Sequence, residues 1–129
     1  MSYLKKRGEM LAAEKVFENA IKKYLKEQGC WYVKFFANSF TKKGIPDLLC
    51  CINGHFVAIE VKAANGKPSE LQEWNIKKIQ EAKGIGIVLY PKDFPRFKHL
   101  VELLKKSDKD YSRLWDLNVI LERGESNVY

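Results

Sequence analysis

Apolar positions recur along the chain with two periods, and the change from one to the other marks its elements. Over residues 9–28, Leu11, Phe17, Ala20, Ile21, Tyr24 and Leu25 fall at helical spacing, with Gly29 as a stop just past the end. Residues 30–36, Cys-Trp-Tyr-Val-Lys-Phe-Phe, are rich in aromatic and branched side chains and predict a strand. Two apolar runs follow, joined by Asn53-Gly54. Asn-Gly between such runs predicts a β-hairpin, because both turn residues must accept positive φ. Ser69-x-x-Gln72 then opens a helix as a capping box. This helix is expected to run to about Lys83, with Leu71, Trp74, Ile76 and Ile79 as its apolar set and Gly84 as its end. Gly86 to Tyr90 reads as a short buried strand, so that strand, helix and strand form a right-handed parallel crossover. After Pro91, residues 94–106 predict a helix with Phe97, Leu100, Val101 and Leu104 on one face. Tyr111 to Glu122 is apolar enough to pack on the core as a short helix or strand, and the last few residues should fray. No repeat, linker or low-complexity tract interrupts this order. The expectation is one α/β domain over 1–129, with a core of about 9–106 and a C-terminal extension over 107–129.

A two-residue hairpin loop fixes a register: Ile52 opposite His55, Cys50 opposite Val57, Leu48 opposite Ile59, and Asp47 opposite Glu60. Two carboxylates then share one face, and Lys62 joins them two residues along its strand. Directly opposed Cβ atoms lie roughly 5 Å apart, and like charges there destabilise a sheet unless a cation stands between them. Val57, Ile59 and Val61 make one face of the second strand apolar, while Phe56 and Ala58 make the Glu60 face apolar too. A strand apolar on both sides is central and buried, and buried acids need partners. A hard divalent cation suits such oxygens. The plainer possibility is a turn ending at Asp47 and a solvated strand face carrying Glu60 and Lys62.

Composition narrows the class. The 129 residues are 46% hydrophobic, enough for a core and too many for a disordered chain. No apolar run approaches the roughly 18 residues of a membrane span, and the first residues lack a signal-peptide stretch, so no membrane association is expected. Three cysteines without metal-type spacing, two of them adjacent as Cys50 and Cys51 on opposite strand faces, suggest reduced and packed thiols in a cytoplasmic protein, or one of the host cytoplasm if the chain is viral. A formal charge of +7, from 23 Lys and Arg against 16 Asp and Glu, favours a polyanionic partner, nucleic acid above all. Residues 37–45 place Ser39, Lys42 and Lys43 in one loop, a composition suited to phosphate contacts but equally to an ordinary exposed loop. Lys67, in the loop after the hairpin, joins these as a nucleic-acid candidate. Glu14 and Glu18 lie one helical turn apart. Such a pair commonly supports lysines such as Lys22 and Lys26, yet a metal site on the sheet could recruit one of the two. His55 sits at the hairpin turn and His99 in a lysine-rich helix, which gives no zinc-hydrolase pattern. Neither a Ser-His-Asp or Cys-His arrangement nor a Walker-type loop is present.

The order of helix with acids, strand, hairpin carrying Asp then Glu-x-Lys, helix and strand resembles the PD-(D/E)XK nuclease superfamily. Within it, Gly44-x-Pro46-Asp47, Ile59-Glu60-Val61-Lys62 and Gly66-Lys67-Pro68-Ser69-x-Leu71-Gln72 resemble the VRR-NUC family signature, over roughly residues 13–90. This resemblance implies a restriction-endonuclease-like core, with a central mixed β-sheet flanked by helices, and a metal-dependent phosphodiesterase. It implies that Asp47, Glu60 and the Val61 carbonyl ligate Mg²⁺ or Mn²⁺. Lys62 would orient or help deprotonate the attacking water, Gln72 would lie at the active site, and Glu18, or else Glu14, would complete the metal shell. The chemistry agrees: phosphodiester hydrolysis needs charge stabilisation and an activated water, and metal ions supply both.

Small stand-alone members of the family resemble Holliday junction resolvases, which work as dimers because two strands are cut. A chain this short leaves little room for a separate recognition domain, so shape and backbone contacts are expected over base readout. The expected activity is therefore a Mg²⁺- or Mn²⁺-dependent DNA endonuclease, selective for branched or four-way DNA, acting as a homodimer without a small-molecule cofactor. Phe35-Phe36, Trp74 and the segment with Trp115 are available for a dimer contact, though each is first expected in the monomer core. The competing functions are a non-catalytic nucleic-acid-binding module on the same fold, and a nuclease acting on RNA or on DNA without selectivity.

Overall fold

The Asn53-Gly54 turn closes with both φ values positive, 49° and 81°, as its composition demands. The computed structural model describes residues 2–40 and 42–106; the expectations for 107–129, including the segment with Trp115, lie outside the described residues. The elements are α1 (Tyr3–Glu27), β1 (Trp31–Lys34), β2 (Leu48–Ile52), β3 (His55–Val61), α2 (Glu70–Glu81), β4 (Ile85–Leu89), a 3₁₀ turn (Pro91–Asp93) and α3 (Phe94–Lys106). One mixed sheet has the order β1-β2-β3-β4. Strands β1, β2 and β3 pair antiparallel, with Ile52 opposite His55, Cys50 opposite Val57 and Leu48 opposite Ile59. Strand β4 lies parallel to β3 across the α2 crossover.

The core lies on one face of this sheet. Phe17, Ile21 and Leu25 of α1 and Phe97, Leu100, Val101 and Leu104 of α3 meet the alternate residues Leu48, Cys50 and Ile52, then Val57, Ile59 and Val61, then Ile85, Ile87 and Leu89. Fully burying each large side chain is worth about 1.5–3 kcal/mol, so this layer sets the angle at which α1 crosses the sheet. Helix α2 covers the opposite face over β3 and β4. It approaches so closely that a Cβ on Gly86 would lie 2.9 Å from the Ile76 carbonyl oxygen. No described helix is long and apolar enough to cross a membrane.

Four expectations are corrected. Helix α1 begins at Tyr3 rather than near residue 9, because the Ser2 hydroxyl caps it by accepting from the Lys5 N–H at 3.2 Å. The strand predicted over 30–36 is four residues long, and Phe36 beyond it is 73% exposed. In α2 the inward residues are Asn75 and Ile76, so Leu71 and Trp74 stay about half exposed rather than joining the core. The Trp74 ring instead carries the Lys42 and Lys78 ammonium groups at 5.8 and 5.6 Å. Cys50 and Cys51 do face opposite sides, but only Cys50 is packed; Cys51 is exposed.

Candidate active site

Asp47 is placed by the loop that leads into β2. Gly44 has φ of +77°, and a Cβ there would stand 2.6 Å from Leu71 Cγ and 2.9 Å from Asn75 Nδ2. The buried Asn75 amide donates to the Gly44 carbonyl at 3.0 Å, to the Leu71 carbonyl at 3.1 Å and to the Lys43 carbonyl at 3.4 Å, which ties the loop to α2. Both the backbone and the space therefore demand glycine. Gly44→Ala is expected to lose about 1–3 kcal/mol of stability in denaturant unfolding. From this anchor the chain reaches Asp47, whose carbonyl accepts from the Phe35 N–H at 2.8 Å and whose Oδ2 accepts from the Val61 N–H at 2.8 Å.

Extending the ladder by one pair puts Glu60 opposite Asp47. Glu60 is 2% exposed; its Oε1 is buried without a hydrogen-bond partner, and its Oε2 lies 3.4 Å from Lys62 Nζ. Burial first, and then the charge of Asp47, push its carboxyl up to about 8. Glu18 comes from α1, on the turn that carries Phe17 and Ile21 into the core, and is itself buried. Its Oε2 faces Lys22 at 3.1 Å and Lys15 at 3.3 Å, and its Oε1 faces Lys34 of β1 at 2.5 Å. Burial alone would raise its titration point, but the hydrogen bonds from Lys34 and Lys22 prevail and hold it below the usual glutamate value. Lys34 also reaches Asp47 Oδ1 at 3.1 Å, so one ammonium bridges α1 and β2. Burial works against its charge, while Glu18 and Asp47 hold it protonated. Glu14 lies half-buried one turn earlier; burial raises its carboxyl, partly countered by Lys62.

Beside these acids opens a cleft of about 550 Å³ whose lining includes Lys6, Arg7, Leu11, Glu14, Lys62 and Lys67. An acidic floor of oxygen donors next to a basic wall can hold a cation and an anionic phosphate side by side. Among the described residues no three His, Cys, Asp or Glu side chains form a ready-made metal cage, and the Lys34 and Lys62 ammonium groups stand among the carboxylates. The donor set nevertheless fits a hard divalent ion: all the candidates are oxygens, two acids oppose each other across the hairpin, and Glu60 Oε1 is buried with nothing to bind.

A family model described as archaeal Holliday junction resolvase (hjc) matches residues 10–86, more than half of the chain. The chain belongs to this resolvase family. No curated protein and no solved structure matches it. Resolvases of this family are structure-selective nucleases with a restriction-endonuclease-like fold, and the mixed four-stranded sheet flanked by helices agrees with it. The superfamily resemblance is thus carried to the resolvases, while the match says nothing particular to VRR-NUC.

Within the resolvase match, Asp47, Glu60, Lys62 and Glu18 come together at one end of the sheet, with Glu14 at their edge. Gln72 does not reach them by a hydrogen bond. Its Oε1 accepts from the Ser69 N–H at 2.9 Å, and Ser69 Oγ accepts from the Gln72 N–H at 3.1 Å, the reciprocal cap that its spacing announced. Of the nucleic-acid candidates, Lys67 lines the cleft, Lys42 stacks on Trp74, Lys43 is held through its carbonyl, and Ser39 is exposed at the loop tip. Lys34, Lys6, Arg7 and Asn75 are absent from the sequence-based set. Lys6 and Arg7 had a signal in the basic run Lys5-Lys6-Arg7. Lys34 had one only through the β1–β2 register, which sets it opposite Leu48 and so beside Asp47.

Proposed function

We propose that this chain is a Mg²⁺- or Mn²⁺-dependent endonuclease that cuts branched, four-way DNA as a homodimer. The observation that carries this reading is the meeting of Asp47, Glu60 and Lys62 at one sheet end, with a buried, unpartnered Glu60 oxygen, beside a basic cleft. A divalent ion held by Asp47, Glu60 and the Val61 carbonyl, with Glu18 or Glu14, supplies when bound an activated water and charge neutralisation on the phosphate. The protein does the rest. The Val61 N–H fixes the rotamer of Asp47, and β3 holds Glu60 rigidly in a dry setting. Lys62, at 3.4 Å from Glu60, offers its ammonium to charge building on the phosphate in the transition state. Lys6, Arg7 and Lys67 take flanking phosphates, which read backbone shape rather than base sequence. Lys67→Ala is expected to weaken DNA binding equally across sequences and to reduce the salt slope of binding by about one, measured by titration at several salt concentrations.

Selectivity for branches draws support from Phe36 and Phe40, which are 73% and 96% exposed on the loop leading to Asp47. Stacking is interrupted at a branch point, so a base there is more easily turned onto such a ring than one inside a continuous duplex. Dimerisation draws support from Trp31, Val33 and Phe56. These remain exposed on the sheet face that α2 leaves open beside the β1 edge, where a second copy would bury them. Sedimentation velocity measures that directly. The second reading, a non-catalytic binding module, is favoured by the ammonium of Lys34 standing between two of the acids. Labelled four-way, flapped and linear DNA, with RNA counterparts, separate the readings. Divalent-dependent cutting that prefers branched DNA supports the endonuclease; binding without cutting on every substrate leaves the module.

A further inference from the structure

We propose that Lys34 is the resident cation of the acid pocket, and that a divalent metal binds by taking the place of its ammonium. This rests on the metal-dependent reading above and adds the route by which the site is loaded. The Lys34 ammonium lies 2.5 Å from Glu18 Oε1 and 3.1 Å from Asp47 Oδ1. These are two of the oxygens that the proposed ion would use, with Glu18 as the helix ligand. The other oxygen of Asp47 is taken by the Val61 N–H, and the other oxygen of Glu18 faces Lys15 and Lys22. Glu60 differs. Lys62 faces only its Oε2, and Oε1 is buried without a hydrogen-bond partner, so no ammonium has to leave this oxygen before an ion meets it. Lys34 therefore competes with metal for one part of the site and not for the other.

The exchange is possible because Lys34 has somewhere to go. Its side chain is 19% exposed and stands at the end of the edge strand β1, and its ammonium is already 5.9 Å from the centre of the exposed Phe36 ring. A swing about the flexible stem keeps the charge over that ring while moving it off the carboxylates. Without metal, the same ammonium lets acids from α1 and β2 converge. Because both cations claim the same oxygens, their binding is antagonistic, and the antagonism is reciprocal.

The test is Mn²⁺ binding to the full chain, followed by the electron paramagnetic resonance signal of the free ion, with thermal melting beside it. Lys34→Met is expected to bind Mn²⁺ roughly tenfold more tightly than wild type, within the usual range for coupled ligands. It should melt at a lower temperature than wild type in chelator, with the gap closing at saturating Mn²⁺. A merely structural ion pair would lower the melting temperature and leave affinity unchanged, and that result overturns the proposal, as does weaker binding. If Lys34→Met does not fold, Lys34→Gln gives the same readout with a polar side chain. Asp47→Asn separates the two levels. If wild type binds Mn²⁺ no better than Asp47→Asn, the metal reading itself fails and this inference with it. If binding depends on Asp47 but not on Lys34, only the exchange is wrong.

Discussion

Replacing Asp47 by asparagine is expected to leave a folded, junction-binding protein that no longer cuts. The amide oxygen can still accept the Val61 N–H, now at 2.8 Å, so the turn from the 44–47 loop into β2 is kept. What disappears is the negative charge beside Glu60. Lys34 loses one of two carboxylates but retains Glu18, so the stability cost is expected to be about 1 kcal/mol. Cleavage is expected to suffer far more, because a charge placed in advance where the reaction needs it is worth roughly 10²–10³ in rate, and under the proposed function Asp47 would also hold the ion. Gel-shift binding in chelator together with single-turnover cleavage makes the comparison. Equal loss of binding and cutting would mean that Asp47 serves the fold and not the reaction.

Glu60→Gln is expected to stabilise the metal-free protein while abolishing activity. Glu60 is a buried acid with one orphaned oxygen, and its carboxyl titrates near 8 when folded against an ordinary value of 4.5. The folded value is the raised one, so the favourable contribution of the neutral carboxyl is complete below 4.5 and is lost as pH rises to about 8. Metal-free wild type should lose about 1–3 kcal/mol across that window relative to Glu60→Gln, the usual cost of a buried group left unsatisfied. Thermal melts in chelator between pH 5 and 9 check this. Adding Mg²⁺ should restore wild type at the alkaline end and leave the glutamine variant unmoved. A variant less stable than wild type at pH 8 without metal would mean that Glu60 is held by contacts that the charge argument omits.

These two residues were legible in the sequence for a local reason. Asn53-Gly54 allows one tight turn, the turn allows one register, and the register sets Asp47 across from Glu60 with Lys62 on the same face. The crossover through α2 was readable from its capping box and from Gly84. Lys34 was not legible, because its partners come from α1 and β2, 16 and 13 residues away, across a long loop whose path no local rule sets. Leu71 and Trp74 misled for a similar reason. Helical spacing gives an apolar stripe but not which part of it meets the sheet, and close packing at Gly86 turns Ile76 and Asn75 inward instead. The choice between Glu18 and Glu14 also depends on tertiary packing. The structure buries Glu18 with Lys34 and leaves Glu14 at the edge of the basic cleft.

Under the proposed function, this carboxylate face cuts phosphodiester bonds in branched DNA when a divalent ion is supplied. The most direct measurement starts from the protein bound to a labelled four-way junction in chelator, with a linear duplex of the same arm sequence in parallel, and adds excess Mg²⁺ while strand scission is followed. The expected result is cutting that begins only with the metal and proceeds faster on the junction than on the duplex. A bound junction that stays intact after Mg²⁺ and after Mn²⁺ would contradict the account.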